Sequence, residues 1–277
     1  MHYLLLSAFL YALNSFYWKT NLNTTGQVQI VWSRVVFTLI YAVIALVVSG
    51  ISLDQLFGAY KQDGLLYVLA VSLGVTGLVA MLNGLKQSSL GHLSIFQAAT
   101  AIVSGLGVSF IVTISGQTVI GGLFIISAFV YYHLPQSKMV FNKSFWWFLL
   151  MSLGFMLSGF VTWEIIQRQH PVISIFTQEL AVFLVFTAFG VFKQIDLVNG
   201  LKSHAFKMAR FAAIIFGAIY FGSFGLQITD PFLLSLSGLL SPFLTALMGV
   251  LFLKETLSKT YLFSLALMII GIVFIST

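Results

Sequence analysis

The chain has 277 residues, of which 59% are apolar and only 7% charged, where a soluble protein carries about 25% charged residues. That composition excludes a soluble globular fold, because so few charges cannot coat a surface of this size, and it points to a polytopic membrane protein. The formal charge of +6 is spread over single basic residues between apolar runs, which excludes a nucleic-acid surface and reads as the flanks of membrane helices; with no cysteine, disulfides and thiolate metal sites are excluded too.

A membrane helix needs about 20 mostly apolar residues. Stretches that qualify are 2–18, 27–48, 64–85, 92–113, 116–132, 145–163, 173–192, 208–226, 232–253 and 259–276, which predicts an all-α membrane protein of ten spans. The first, "MHYLLLSAFLYALNSFYWKT", has no basic leader and no small-x-small cleavage site, so it is expected to be a retained helix carrying Tyr11 and Asn14. The second carries Arg34 in "QIVWSRVVFTLIY", and the polar stretch "SGISLDQLFGAYKQDG" after it reads as a long loop. Thr76 lies in the third span and Gln97 in the fourth, with "ISGQ" (Ile114–Gln117) as the corner before the fifth. The segment "HLPQSKMVFNKS" (His133–Ser144) reads as a linker between two halves, 1–135 and 136–277.

In the second half, "RQHPV" opens the seventh span around Pro171, and that span carries Glu179. The stretch "KQIDLVNGLKSHAFK" reads as the second long loop, followed by the eighth span with Tyr220. In "TDPF", Asp230 is a helix N-cap and Pro231 sits at the first helical position, where its missing N–H costs nothing. The ninth span holds Ser237, Ser241 and Pro242, whose ring removes a helical hydrogen bond at mid-depth. A short polar corner with Lys254 and Glu255 joins it to the tenth, and Glu255 is read as a cap on the helix that follows. Trp18, Trp146, Trp147 and Trp163 lie near span ends, where interfacial belts put them.

Arg34 and Glu179 are the ionisable groups inside spans, each about six residues in, roughly 9 Å along the helix axis. A charge in hydrocarbon costs a few kcal/mol or more and faces protein or water. Arg34 has the stem to snorkel to the headgroups, whereas Glu179 is too short and is read as a binder of a substrate ammonium or a proton-linked switch. Whether the two pair directly stays open at this level. Tyr11, Asn14, Thr76, Gln97, Tyr220, Ser237 and Ser241 complete the set of mid-span polar candidates for substrate binding.

A shift of 142 residues lays "GVSFIVTISGQTVIGGLF" (Gly107–Phe124) on "GVLFLKETLSKTYLFSLA" (Gly249–Ala266), with Gly107 on Gly249 and Phe110 on Phe252. Five spans per half is an odd number, so the second copy enters the bilayer from the opposite side, as inverted repeats do in many secondary transporters. The layout of five plus five helices and "LSPFLTALMGVLFLKETLSKTYLFSLALMIIGIVFI", with Pro242, Glu255 and Gly271, resembles the drug/metabolite transporter superfamily in its EamA-like branch. In the first half Thr100 stands where Pro242 stands, and Thr113 where Glu255 stands, so a role needing an acid at both corners is not implied. The resemblance implies a central cavity walled by the first, third, fourth, sixth, eighth and ninth spans, with the fifth and tenth peripheral.

The function this predicts is secondary transport of a small organic metabolite, such as an amino acid or amine, by alternating access and with a proton as a possible coupling ion. There is no "GxxxxGK[ST]" loop for nucleotide hydrolysis, and neither a cofactor nor a metal is expected. The alternatives are a membrane-embedded enzyme on a lipid-linked substrate, disfavoured by the isolated acidic and histidine residues, and a channel or receptor. Assigning loops alternately puts ten basic residues on one side and only Lys61 and Arg168 on the side of the termini. The positive-inside rule then places both termini outside a plasma or inner membrane, although many members of the resembled family keep theirs in the cytoplasm.

Overall fold

The structure, a computed structural model, describes residues 2–22, 26–100, 116–133, 143–228, 231–256 and 259–276. The fourth span beyond residue 100, most of the 133–144 linker, part of the 114–117 corner and Asp230 lie outside the described residues. Ten helices follow in chain order, and the described residues contain no strand. They are α1 (His2–Leu22), α2 (Gln27–Val48), α3 (Leu53–Gln87), α4 (described over 90–100), α5 (Gly116–His133), α6 (Lys143–Arg168), α7 (Pro171–Phe192), α8 (Leu197–Ile228), α9 (Pro231–Leu253) and α10 (Lys259–Ser276). By length and composition α2, α3, α6, α7 and the 204–227 part of α8 can each cross a bilayer.

The two long loops expected from the sequence are helical instead. α3 starts at Leu53 and α8 at Leu197, and each bends where one residue leaves helical geometry: Asp63 (φ −121°, ψ 18°) and His204 (φ −134°, ψ 20°). Local chemistry starts both. Ser52 and Gln55 form a capping box, each side chain accepting from the other's backbone N–H at 3.2 and 2.9 Å, and the Asp196 carboxylate accepts from Asn199 N–H at 3.0 Å. Leu56, Ala59 and Asp63 are buried at helical spacing, so the polar-looking stretch is one face of an amphipathic turn packed beside Ile165 and Ile173.

The preceding corners match as well. α2 ends with Gly50 N–H bonded to Val47 O and Ile51 N–H to Leu46 O; α7 ends with Gln194 N–H bonded to Val191 O and Ile195 N–H to Gly190 O. Both close through a left-handed residue, Gly50 at φ 67° and Gln194 at φ 53°.

α3 lies along α6, α1 along α8, and α2 against both α7 and α8. Small residues allow these approaches: a Cβ on Gly154 would fall 2.9 Å from the α3 backbone at Leu73 and Gly77, and one on Gly225 would fall 2.4 Å from Leu4. Around them Trp18, Val31, Val35, Leu82, Phe96, Phe148 and Phe211 form the main apolar cluster. α5 packs on α10, with Phe124 stacked on Phe274.

Candidate functional site

A cavity of about 520 Å³ lies between α1, α2, α3, α4, α6, α7, α8 and α9; no described residue of α5 or α10 lines it. Tyr11, Asn14, Arg34, Gln97, Glu179 and Ser241 all line it, so six of the polar residues singled out in the sequence meet in one space. Thr76 does not. The α3 wall is the stripe Val71, Gly74, Val75 and Leu78, and Thr76 falls off that stripe, exposed, with its hydroxyl on Ser72 O at 2.8 Å. Tyr220 is off the α8 stripe of Ile215, Ile219, Gly222 and Ser223, and packs instead on Phe216 and Phe224. The side chain of Ser237 lies outside the described residues.

Arg34 and Glu179 pair. Arg34 Nη1 donates to Glu179 Oε1 at 3.2 Å and to Oε2 at 3.1 Å, and each residue is 3% exposed. Arg34 therefore does not snorkel. Thr38, one turn on from Arg34, donates its hydroxyl to Glu179 Oε2. The guanidinium carbon sits 5.8 Å from the ring centre of Trp18. Trp18, 1% exposed, is thus a floor for the ion pair and not part of an interfacial belt.

A second charged arrangement holds the α3–α4 corner. Lys19, in the last turn of α1, donates to Leu85 O at 2.7 Å and Ser88 O at 2.6 Å, the carbonyl end of α3. Glu255 accepts from Leu90 N–H at 3.0 Å and Gly91 N–H at 3.3 Å, the amide start of α4. The cation meets the negative end of one helix and the anion the positive end of the next. Glu255 thus caps a helix, but it is α4, brought in from the other half, and not α10, which follows it in sequence. It is aimed there by a tight turn in which Lys254 takes φ 55° and Glu255 N–H bonds Gly249 O at 3.1 Å. A Cβ on Gly249 would lie 2.6 Å from Glu255 Oε2, so the carboxylate needs glycine at that position.

Residues 142–277 match the family model described as the EamA-like transporter family. The second half of the chain is therefore EamA-like. A crystal structure of a protein superposes on the EamA-like chain at a TM-score of 0.66 with 13% identity, over 98% of this chain and 96% of that one, which is a likeness of fold alone. No curated protein matches it.

The arrangement in this EamA-like protein gives its cavity no net charge at the ion pair, a mainly apolar wall and a few fixed polar groups, the usual makeup of a small-molecule site. Sequence reading alone overlooked Ser7, Ser15, Ser158, Thr162 and Gln178, which also line it. Helical spacing carried the signal: Ser7, Tyr11, Asn14, Ser15 and Trp18 repeat at three- and four-residue steps along α1. α2 and α7 also join the wall, bringing the ion pair with them.

Proposed function

We propose that this EamA-like membrane transporter is a secondary carrier that moves a small organic metabolite through the central cavity by alternating access. The observation that carries the reading is the cavity itself, a solute-sized space across which Arg34 on α2 meets Glu179 on α7. The division into inverted repeats, 1–135 and 136–277, is supported by the matching corners after α2 and α7 and the matching bends at Asp63 and His204. Two similar bundles of opposite orientation exchange conformations around one site, and this opens the site to either face in turn. The Lys19 and Glu255 contacts are the closure at one end: they tie α1 and the α9–α10 corner across the α3–α4 corner, and must let go when that end opens.

No nucleotide-binding loop is present in the sequence, so a gradient supplies the work. Glu179 is the coupling group proposed: a proton on its carboxyl frees Arg34, and loss of that proton restores the pair. The loop charges favour both termini outside a plasma or inner membrane.

Counterflow of labelled metabolites into proteoliposomes tests the carrier reading, since saturable exchange separates a carrier from a channel or an enzyme. Coupling needs a variant that removes the carboxyl without stranding a buried charge. Arg34→Gln with Glu179→Gln does so, and its uptake is expected to be independent of pH. PH dependence like the parent's in that variant would remove Glu179 from the coupling step.

A further inference from the structure

The elbow where α7 turns into α8 carries cations that the cavity does not use. From 193 to 210 the sequence holds Lys193, Lys202, Lys207 and Arg210 against a single acid, Asp196, whose carboxylate is engaged with the Asn199 N–H. All four cations are exposed, and none of them forms an ion pair among the described residues. Large apolar side chains are exposed beside them: Phe192 at 79%, Phe206 at 77%, and Val198. The Lys193 ammonium lies 5.7 Å from the ring centre of Phe192, and the Arg210 guanidinium carbon 5.7 Å from that of Phe206.

Lys207 and Arg210 stand within the 204–227 part of α8 that can cross a bilayer, yet off its buried stripe of Met208, Phe211, Ala212 and Ile215. A cation on the outer face of a span carries its charge along its stem to the headgroup layer. The other elbow shows what the fold itself requires. The start of α2 meets the α7–α8 elbow, Gln29 Nε2 donating to Asp196 O at 3.0 Å, so the far end of α2 and the elbow from Ser52 to Asp63 lie at the opposite end of the bundle. That elbow also exposes large apolar side chains, Leu53 and Phe57, but its exposed charges, Asp54 and Lys61, cancel. The cations of the α7–α8 elbow are therefore not a requirement of the bend.

We propose that the α7–α8 elbow is a docking surface for anionic phospholipid headgroups. Its ammonium and guanidinium N–H groups donate to phosphate oxygens, while Phe192, Val198 and Phe206 rest against the acyl chains beneath. Exposed apolar groups beside the cations point to a lipid and not to a soluble anion. A zwitterionic headgroup offers the same phosphate but brings its own cation, so the elbow attracts it less.

The test gives the purified full-length protein, in a neutral detergent, equimolar dioleoyl phosphatidylglycerol and dioleoyl phosphatidylcholine. The protein is repurified and the retained lipids are counted by mass spectrometry. The parent is expected to retain the anionic lipid over the zwitterionic one by about tenfold, a modest share of what four cations at a lipid surface supply. Lys202→Gln with Lys207→Gln is expected to cut that ratio to about threefold, and Lys193→Gln with Arg210→Gln to do the same, so either pair serves should the other fail to fold. Lys86→Gln with Lys259→Gln removes as much charge from α3 and α10 and should leave the ratio near that of the parent. Equal retention of the two lipids, a ratio unmoved by both elbow variants, or an equal fall in the control pair each overturns the assignment.

Discussion

Charge ties helices of this protein together in two regions, and it does so differently. At the centre, a full cation and a full anion face each other, Arg34 and Glu179, both almost without solvent exposure. At the α3–α4 corner, Lys19 and Glu255 are only partly buried, and each meets the half charge of a helix end. The contrast teaches where a membrane protein needs a complete counter-charge. Deep in the bundle the desolvation of an ion is offset chiefly by its opposite, whereas near the ends backbone dipoles and the aqueous boundary share the task.

Removing one partner separates the two regions most sharply. Arg34→Met leaves Glu179 buried without its counter-charge, and is expected to lower stability by about 3–5 kcal/mol, while Arg34→Met with Glu179→Met should recover most of that loss. Thermal unfolding of the single and double variants in one detergent checks it; a double variant no more stable than the single would mean that the pair is not what holds the centre.

The corner should respond less. Glu255→Gln is expected to destabilise by roughly 1 kcal/mol, the size of a charge-to-dipole contact at a partly buried helix start. Gly249→Ala should reproduce that loss by pushing the carboxylate away, and the two changes together should be less than additive, because both act on one contact. Full additivity in unfolding measurements would separate Gly249 from Glu255.

The smallest effect belongs to the start of α7. His170 accepts from Val172 N–H through Nδ1 and lies edge-on to Phe224, and burial lowers its pKa below the ordinary 6.5. The folded state therefore favours the neutral ring. The stability His170 contributes is complete above that ordinary value and is lost as pH falls below it and the ring takes a proton. His170→Asn, which keeps a capping group that does not titrate there, is expected to flatten the slope of melting temperature between pH 7 and 5 by a small amount. An unchanged slope would assign the pH response to other groups.

Much of this was legible beforehand for local reasons. The bounds of α2, expected at 27–48, are Gln27–Val48, because apolar length and flanking turn residues act within a few positions. The cap at Pro171 is likewise local, with His170 before it and the ring at the first helical position. The stretches before α3 and α8 were misread because charged residues mask an amphipathic period, and only the packing of Leu56 and Ala59 on α6 and α7 gives that period a use. In the candidate site, mid-depth polarity found Arg34 and Glu179 but also drew in Thr76 and Tyr220, since polarity does not say which way a helix is turned.

Composition alone made this a membrane protein of ten helices and marked two charges as too expensive to be idle, because hydrophobicity and helical period are properties of neighbouring residues. Tertiary structure alone decided that those charges meet, that Trp18 lies beneath one of them, and that Glu255 caps α4 across the molecule and not the helix beside it. The reason is physical: a buried charge or an open helix end must be satisfied by whatever packing brings near, and the distance along the chain does not enter that requirement.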